Sequence, residues 1–62
     1  MCESNVYLKK GDGEEQVLAD VEIMRPEGDM IYLANIHGEE KRIKARLLAI
    51  DFSEHKAWLV ED

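Results

Sequence analysis

Apolar and polar side chains alternate along much of this chain, in short runs that are separated by turn-forming residues. In residues 5–10, Val6 and Leu8 fall on one face of an extended chain and Tyr7 falls on the other. This two-residue period is typical of a strand with one buried face. The Gly-Asp-Gly sequence at 11–13 then supplies the positive-φ positions of a tight hairpin turn. We therefore predict a first strand that ends in a hairpin.

The same reasoning predicts three more strands. The odd positions within residues 16–24 are apolar, and Pro26, which cannot donate to a strand ladder, marks the next turn. Residues 30–36 have apolar side chains on both faces, as in a central strand or a subunit contact. The His-Gly pair at 37–38 signals another turn, and residues 39–43 follow as a more charged strand.

The last third of the chain changes its apolar spacing. Ile43, Leu47 and Ile50 are four and three positions apart, which indicates a helical turn within residues 44–50. Residues 57–60 then predict a final strand. Five short strands without a long helix predict an all-β fold, a small SH3-like β-barrel whose closed sheet leaves no exposed edge.

The size of the chain limits its core. A chain of 62 residues forms one domain, residues 1–62, and a domain of this size buries only about 60% of the surface that its unfolded chain exposes. The single cysteine excludes an internal disulfide, and no zinc-finger spacing of Cys and His is present. Association with a second copy enlarges the core, so we expect a homodimer.

The formal charge of −6 limits the kinds of molecule that the protein is expected to bind. Nucleic-acid affinity rests on basic residues that displace counterions, so nucleic acid is not the expected partner, whereas an acidic surface attracts cations. No apolar run approaches the ~20 residues needed to cross a bilayer, and the Met-Cys-Glu-Ser start lacks the regions of a signal peptide. We expect a cytoplasmic protein without a membrane partner, whose thiol is reduced.

The candidate chemistry lies at the start of the sequence, where Cys2 is the only thiol. Cysteine in second place normally permits removal of Met1, which leaves Cys2 with a free α-amine. That amine titrates near pH ~8 and the thiol near ~8.5, so a divalent metal displaces both protons at modest cost. Amine, thiolate and the amide nitrogen of Glu3 can close fused chelate rings. Nitrogen and thiolate donors in a plane favour Ni(II) or Cu(II) over zinc.

Two alternatives for these residues stay open. A free cysteine is often a small buried hydrophobic residue without a ligand role. If Met1 is retained, the α-amine moves one residue away, and the donors become the Cys2 thiolate with backbone nitrogens or Glu3. The sequence thus makes Cys2 and Glu3 the candidate metal ligands without fixing the donor set.

No residue pattern indicates catalysis. A nucleophilic cysteine needs a nearby histidine base, and His37 and His55 both fall in predicted turns, where histidines are mostly solvated. The Gly-rich turn at 11–13 lacks the Lys-Ser/Thr ending of a phosphate-binding loop. We expect a protein that is not an enzyme.

A basic cluster offers RNA binding as the alternative function; its members are Lys41, Arg42, Lys44 and Arg46. Small barrels bind nucleic acid through a basic groove and stacking aromatic residues, which Tyr7, Tyr32 and Trp58 could provide. Because the cluster follows two glutamates in an acidic chain, a salt-bridged strand face is the competing interpretation.

Several features of the chain occur together in one family: the Met-Cys-Glu start at 1–3, the length, the segment from Asp20 to Gly28 and the closing Trp-Leu-Val-Glu at 58–61. With them the chain resembles the CooT family of small nickel-binding proteins across nearly its whole length. The mark of that family is an N-terminal Met-Cys dipeptide on a short acidic chain of strands.

The resemblance implies a homodimeric, SH3-like nickel chaperone that assists maturation of nickel carbon monoxide dehydrogenase. It implies one nickel ion at the dimer interface, held by the two Cys2 residues. Some members carry a histidine-rich tail, which this sequence lacks, and the resemblance does not fix the client enzyme. We therefore expect a cytoplasmic Ni(II)-binding homodimer that delivers or senses nickel.

Overall fold

The computed structural model describes residues 3–61, and Met1, Cys2 and Asp62 lie outside the described residues. The regular structure of residues 3–61 consists of six strands: β1 (Ser4–Lys10), β2 (Gly13–Glu27), β3 (Met30–Asn35), β4 (Glu40–Ile43), β5 (Arg46–Asp51) and β6 (Lys56–Val60). The predicted all-β class is confirmed. Within this part of the chain, no helix has the length and apolarity that crossing a bilayer requires.

The strands form one sheet in the order β4-β3-β2-β1-β6-β5. Neighbouring strands are antiparallel except β1 and β6, which run parallel from Asn5 beside Lys56 to Lys9 beside Val60. The long β2 belongs to both halves of the sheet, because it pairs with β1 up to Val21 and with β3 from Val21 onward. By bending, β2 folds the sheet over its own core.

The bend in β2 lies where its register shifts. Between Leu18 and Ile23, β2 carries extra residues relative to β1 and β3, which is β-bulge geometry. Asp20 lies in this stretch with a φ of 57°, a left-handed conformation that aspartate adopts more easily than most residues. Its backbone amide donates to Asn5 Oδ1 at 3.3 Å, and its carbonyl oxygen accepts from the Ile36 amide at 3.1 Å. Both neighbouring strands thus fix the bend.

The core between the two halves of the folded sheet is aliphatic. Val6 and Leu8, the apolar positions of the first predicted strand, are both buried, and Leu33 and Leu59 are fully buried. Each such side chain contributes roughly 1.5–3 kcal/mol through its removal from water. The buried cluster consists of Val6, Leu8, Leu18, Val21, Ile31, Leu33, Ala45, Ala57 and Leu59.

The sheet differs from the predicted barrel in two details. It has six strands rather than five, and it is open, because β4 and β5 are its edges and do not pair with each other within residues 3–61. The strand β4 contains only Glu40–Ile43 and is mostly charged. The ladder of β5 is interrupted by an extra residue between Leu47 and Ala49. Short charged strands and bulges both limit pairing at a sheet edge.

The helical turn predicted within residues 44–50 is wrong. This segment contains β5, which pairs antiparallel with β6 over its whole length. The extra residue between Leu47 and Ala49 is Leu48, and it breaks the alternation of the strand. The resulting spacing of apolar residues imitates a helical period.

Pro26 lies inside β2 rather than in the turn that it was expected to mark. It is opposite Ile31 of β3, in the part of β2 that has no described partner on its other side. A residue without an N–H group is tolerated at such an edge. The turn begins at Gly28, whose φ of 64° glycine adopts without strain.

Candidate functional site

The two predicted metal ligands stand at the boundary of the described chain. Cys2 lies outside the described residues, and Glu3 is half-buried and directly precedes β1. Among residues 3–61, no group of three His, Cys, Asp or Glu side chains is arranged to hold a metal ion. The surroundings of the first described residues therefore carry the structural information about the predicted site.

The start of β1 is held between two elements. The Asn5 amide donates to the carbonyl oxygen of His55 at 2.9 Å, and Ser4 pairs with Val21 of β2. One side of β1 is thus bordered by residues 52–55, which connect β5 to β6, and the other side by the bend of β2. Because β1 and β6 are parallel, both strands begin at this end of the sheet.

A shallow cavity of about 170 Å³ lies at this end of the sheet, and we call it the terminal depression. Ser4 lines it together with Phe52, whose surface is 81% exposed. An exposed aromatic side chain beside an apolar depression is a surface suited to being covered by another molecule. The lining residues are Ser4, Val6, Val21, Glu22, Met24, Ile50, Phe52 and Ala57.

The turn that presents Phe52 is fixed by its neighbour Asp51. The Asp51 Oδ1 atom accepts hydrogen bonds from the Ser53 hydroxyl at 2.7 Å, the Ser53 amide at 3.0 Å and the Glu54 amide at 3.1 Å. The Ser53 hydroxyl, followed by the Glu54 amide, lowers the pKa of Asp51. The carboxylate is therefore charged at neutral pH and orders the turn around Phe52.

Carboxylates predominate on the segments that border the terminal depression. Glu22 lines it, and Asp51 and Glu54 flank Phe52 in the chain. The basic residue on these segments is Lys56, which pairs with Asp51 in the ladder between β5 and β6. An excess of negative charge at one end of the sheet favours cations there.

A second cavity, of about 360 Å³, lies next to the terminal depression. We call it the methionine pocket because Met24 and Met30 line it. Met24 and Ile50 line both cavities, which are therefore neighbours. The residues of the methionine pocket are Met24, Pro26, Gly28, Met30, Ile31, Ala45, Arg46, Leu47 and Ile50.

The basic residues that could have bound RNA make contacts within the protein. Lys41 Nζ donates to a backbone carbonyl oxygen of β2 at 2.9 Å. Arg42 Nε lies 2.9 Å from Glu27 Oε1 and lowers the pKa of that carboxylate through the hydrogen bond. Lys44 Nζ lies 3.8 Å from Asp29 Oδ2. These contacts favour the salt-bridged strand face over an RNA-binding surface.

The aromatic residues that could have stacked on RNA bases also contact other side chains of the protein. The buried Tyr32 ring has the guanidinium carbons of Arg25 and Arg42 at 4.5 Å and 4.8 Å from its centre. Tyr7 and Trp58 stack on each other with their ring centres 6.4 Å apart. Such contacts stabilise the fold and favour a structural role for these rings over base stacking.

Two features of this end of the sheet went unnoticed in the sequence. The Asp-x-Ser pattern at 51–53 is typical of a turn capped by a side chain and could have been found. The exposure of Phe52 has no local sequence signal, because an apolar residue in the turn between β5 and β6 could equally be buried. His37 is exposed in a turn, as predicted, and its Nε2 atom also lies 3.1 Å from Asp20 Oδ2.

Comparisons with known proteins agree with one another. The family model described as CO dehydrogenase accessory protein CooT matches residues 1–60. The crystal structure of a proposed CooT from Carboxydothermus hydrogenoformans matches with a TM-score of 0.93 and 31% sequence identity, covering 98% of this chain and 98% of that chain. No curated protein matches the chain.

Proposed function

This chain belongs to the CooT family of CO dehydrogenase accessory proteins, and on that premise we propose that it binds Ni(II) as a cytoplasmic homodimer. In this proposal the protein delivers or senses nickel and performs no reaction of its own. The nickel ion is its cargo rather than a resident cofactor.

The proposed ligands are the Cys2 thiolate, the adjacent α-amine once Met1 is removed, and the amide nitrogen of Glu3. One chain supplies one sulfur. Two chains related by a two-fold axis bring two thiolates and their neighbouring nitrogens to one ion, a donor set that suits Ni(II).

The observation that carries the proposal is the position of Ser4 in the terminal depression beside the exposed Phe52. Two residues of extended chain span at most about 7 Å, so Cys2 is tethered to this apolar end of the sheet. A second copy that covers Phe52 brings its own tethered Cys2 to the same place. Apolar contact and shared metal ligation would then reinforce each other.

The charge of this end supports a dimer that depends on metal. Glu22, Asp51 and Glu54 lie on the segments that border the terminal depression, so two copies that meet here bring like charges together. A divalent cation between the thiolates offsets part of that repulsion. We therefore propose that nickel strengthens the dimer and that the metal-free chain associates weakly.

The proposed client is a nickel-dependent CO dehydrogenase. The family description names CO dehydrogenase as the enzyme that its members serve. Structural zinc sites are usually closed by four protein ligands. A site divided between two chain termini opens when the chains separate, which suits an ion that has to be handed on.

A nickel titration followed by ultraviolet-visible absorption tests the proposal, because thiolate-to-nickel charge transfer appears only if sulfur is a ligand. We expect the band in the wild-type chain and its loss in Cys2→Ser, with the far-ultraviolet circular dichroism unchanged. The matched control combines Cys2→Ser with Ile36→Cys. It restores one thiol per chain at an exposed residue outside the lining of the terminal depression.

The control separates the position of the thiol from its mere presence. We expect Cys2→Ser/Ile36→Cys to bind nickel no more tightly than Cys2→Ser. Undiminished nickel affinity in Cys2→Ser would refute Cys2 as the ligand. Equal affinity in the relocated-thiol variant would show that the terminal depression contributes nothing.

A further inference from the structure

Asn5 connects the first strand to both elements that border it. Its backbone amide donates to the His55 carbonyl oxygen at 2.9 Å, on the side of β6. Its side-chain Oδ1 atom accepts from the Asp20 amide at 3.3 Å, on the side of β2. Asn5 is itself half-buried and directly follows Ser4, which lines the terminal depression. The strand is thus held from both sides next to this depression.

The side chain of Asn5 makes a contact that the ladder between β1 and β2 omits. Ser4 and Val6 each have a partner on β2, whereas Asn5 between them has none. The bulge in β2 likewise leaves Asp20 outside the ladder. A half-buried backbone amide needs an acceptor, because leaving it unpaired costs free energy. The Oδ1 atom of Asn5 supplies that acceptor in place of a backbone carbonyl oxygen.

Both residues that Asn5 contacts have an unusual backbone conformation. Asp20 and His55 are the two non-glycine residues with a positive φ within residues 3–61, and each has a φ of 57°. Residues other than glycine rarely adopt this left-handed conformation, and it persists where the surrounding structure holds it. Asn5 is therefore bonded on both sides to backbone whose conformation the fold imposes.

Asp20 is also held from the other side of β2. Its carbonyl oxygen accepts from the Ile36 amide at 3.1 Å, and its Oδ2 atom lies 3.1 Å from Nε2 of His37. Together with the bond to Asn5, three groups of Asp20 have partners. The turn after β3 thus holds the residue to which Asn5 is bonded, so the Asp20 amide is presented to Asn5 in a defined direction.

For the nickel function proposed above, we infer that Asn5 is a positioning residue, which holds the N-terminal residues at the terminal depression without touching the metal. Cys2 is two residues before Ser4 in the sequence. A tether this short spans at most about 7 Å, so a displacement of Ser4 displaces the proposed ligand as well. Two chains share an ion at a lower cost in free energy when each tether is ordered before they meet.

The acceptor oxygen of Asn5 is the group that this role requires. Leucine has nearly the size of asparagine but no acceptor, whereas aspartate keeps an oxygen at the same position. A charged acceptor bonds an amide at least as strongly as a neutral one. We therefore expect Asn5→Leu to release the beginning of β1 from Asp20 and Asn5→Asp to retain the contact.

Amide hydrogen exchange of the metal-free chain, measured by NMR, tests the contact itself. We expect the Asp20 amide to exchange at least tenfold faster in Asn5→Leu than in the wild type. In Asn5→Asp it should exchange within threefold of the wild-type rate. The amide of Leu33, a fully buried residue, reports on global unfolding in the same sample. Comparison of the two amides separates local release from a loss of overall stability.

Competition with a chelator of known affinity measures the consequence for nickel. A hydrogen bond of this kind is worth about twofold to tenfold in an equilibrium constant, and two chains share the ion. We therefore expect Asn5→Leu to lower the nickel affinity by about tenfold. Its thiolate-to-nickel band at saturation should be unchanged, because the ligands are the same. If circular dichroism shows that Asn5→Leu is unfolded, Asn5→Ala replaces it with the same expected loss.

Tyr32→Phe is the matched control, because it also removes one side-chain hydrogen bond without changing the net charge. The Tyr32 hydroxyl donates to Glu40 Oε2 at 2.7 Å, and Tyr32 is not among the described residues that line the terminal depression. We expect Tyr32→Phe to change the nickel affinity less than twofold, even where it lowers the melting temperature as much as Asn5→Leu does.

Four results would overturn Asn5 as a positioning residue. They are a wild-type exchange rate of the Asp20 amide in Asn5→Leu, an undiminished nickel affinity in that variant, an equal loss of affinity in Asn5→Asp, and an equal loss in Tyr32→Phe. A shifted charge-transfer band in saturated Asn5→Leu would also overturn it, because Asn5 would then belong to the ligand set. Absence of the band in the wild type would instead refute the nickel function, so the two failures are distinguishable.

Discussion

The backbone amide of Asn5 donates a 2.9 Å hydrogen bond to the carbonyl oxygen of His55. This bond ties the beginning of β1 to the end of the turn that presents Phe52. Ser4 and Asn5 are thereby held against a surface made by β2, β5 and β6. In the proposed function the nickel site therefore depends on the folded sheet as well as on the Met-Cys-Glu sequence.

Nickel affinity should fall as the solution becomes more acidic. Protons compete for the thiolate and the α-amine, whose ordinary pKa values are near ~8.5 and ~8. Below those values each donor must lose a proton to bind the metal. We expect affinity to fall at least tenfold per pH unit between about pH 7 and pH 6, as measured by competition with a chelator of known affinity. An affinity independent of pH would contradict thiolate and amine ligation.

We expect Phe52 to contribute more to the affinity of the dimer than to the folding stability of the single chain. It is 81% exposed in the single chain, and burying such a side chain is worth roughly 1.5–3 kcal/mol. We expect Phe52→Ser to weaken the nickel-loaded dimer by about tenfold to a hundredfold in sedimentation equilibrium. Ile36→Ser is the control and should leave the dimer unchanged. Equal effects of the two changes would place the dimer contact elsewhere.

Asp51 should stabilise the fold in a pH-dependent manner. Its pKa is lowered in the folded chain by the Ser53 hydroxyl and the Glu54 amide. The stabilisation is therefore fully present above the unfolded value of ~3.9 and is lost as the pH falls through the lower folded value. We expect Asp51→Ala to lower the melting temperature at pH 7, with the difference from wild type shrinking in strong acid.

Asp12→Ala provides the control for this measurement, because it removes an exposed carboxylate from the turn between β1 and β2. We expect its melting temperature to follow that of the wild type across the same pH range. A difference between Asp51→Ala and wild type that persists unchanged in strong acid would contradict the role of the ionised Asp51 carboxylate.

The centre of the core should tolerate truncation poorly. Leu33 is 0% exposed, whereas Leu48 is 52% exposed on β5. We expect Leu33→Ala to cost about 2–5 kcal/mol of unfolding free energy and Leu48→Ala less than about 1 kcal/mol. Urea denaturation of both variants measures the difference. Comparable losses would show that β5 is buried in solution.

The strands that could be predicted from the sequence are those with a regular alternation of apolar and polar residues. Strands β1, β3 and β6 lie within one or two residues of their predicted positions, because the alternation of residues such as Val6 and Leu8 matches one buried face. The failure at β5 arose from Leu48, an extra residue that changed the apparent period. The open sheet could not be predicted from the sequence, because no local residue pattern indicates which strands lie at the edges of a sheet.

Less of the candidate site than of the fold could be predicted from the sequence. Family membership follows from the matches to CooT and confirms the resemblance noted in the sequence, whereas Cys2 and Glu3 as ligands stay a prediction. The position of Phe52 near Ser4 could not be predicted, since the parallel pairing of β1 with β6 brings these two parts of the chain together. That pairing joins residues from opposite ends of the chain.

The parallel pairing of β1 with β6 also determines when the proposed nickel site could first form. During translation Ser4 leaves the ribosome long before Phe52 and Ala57, which complete the wall of the terminal depression. A nascent chain therefore contains Ser4 before the surface that is proposed to recruit a second copy exists. At the proposed shared site, nickel binding by two chains then requires a nearly complete polypeptide.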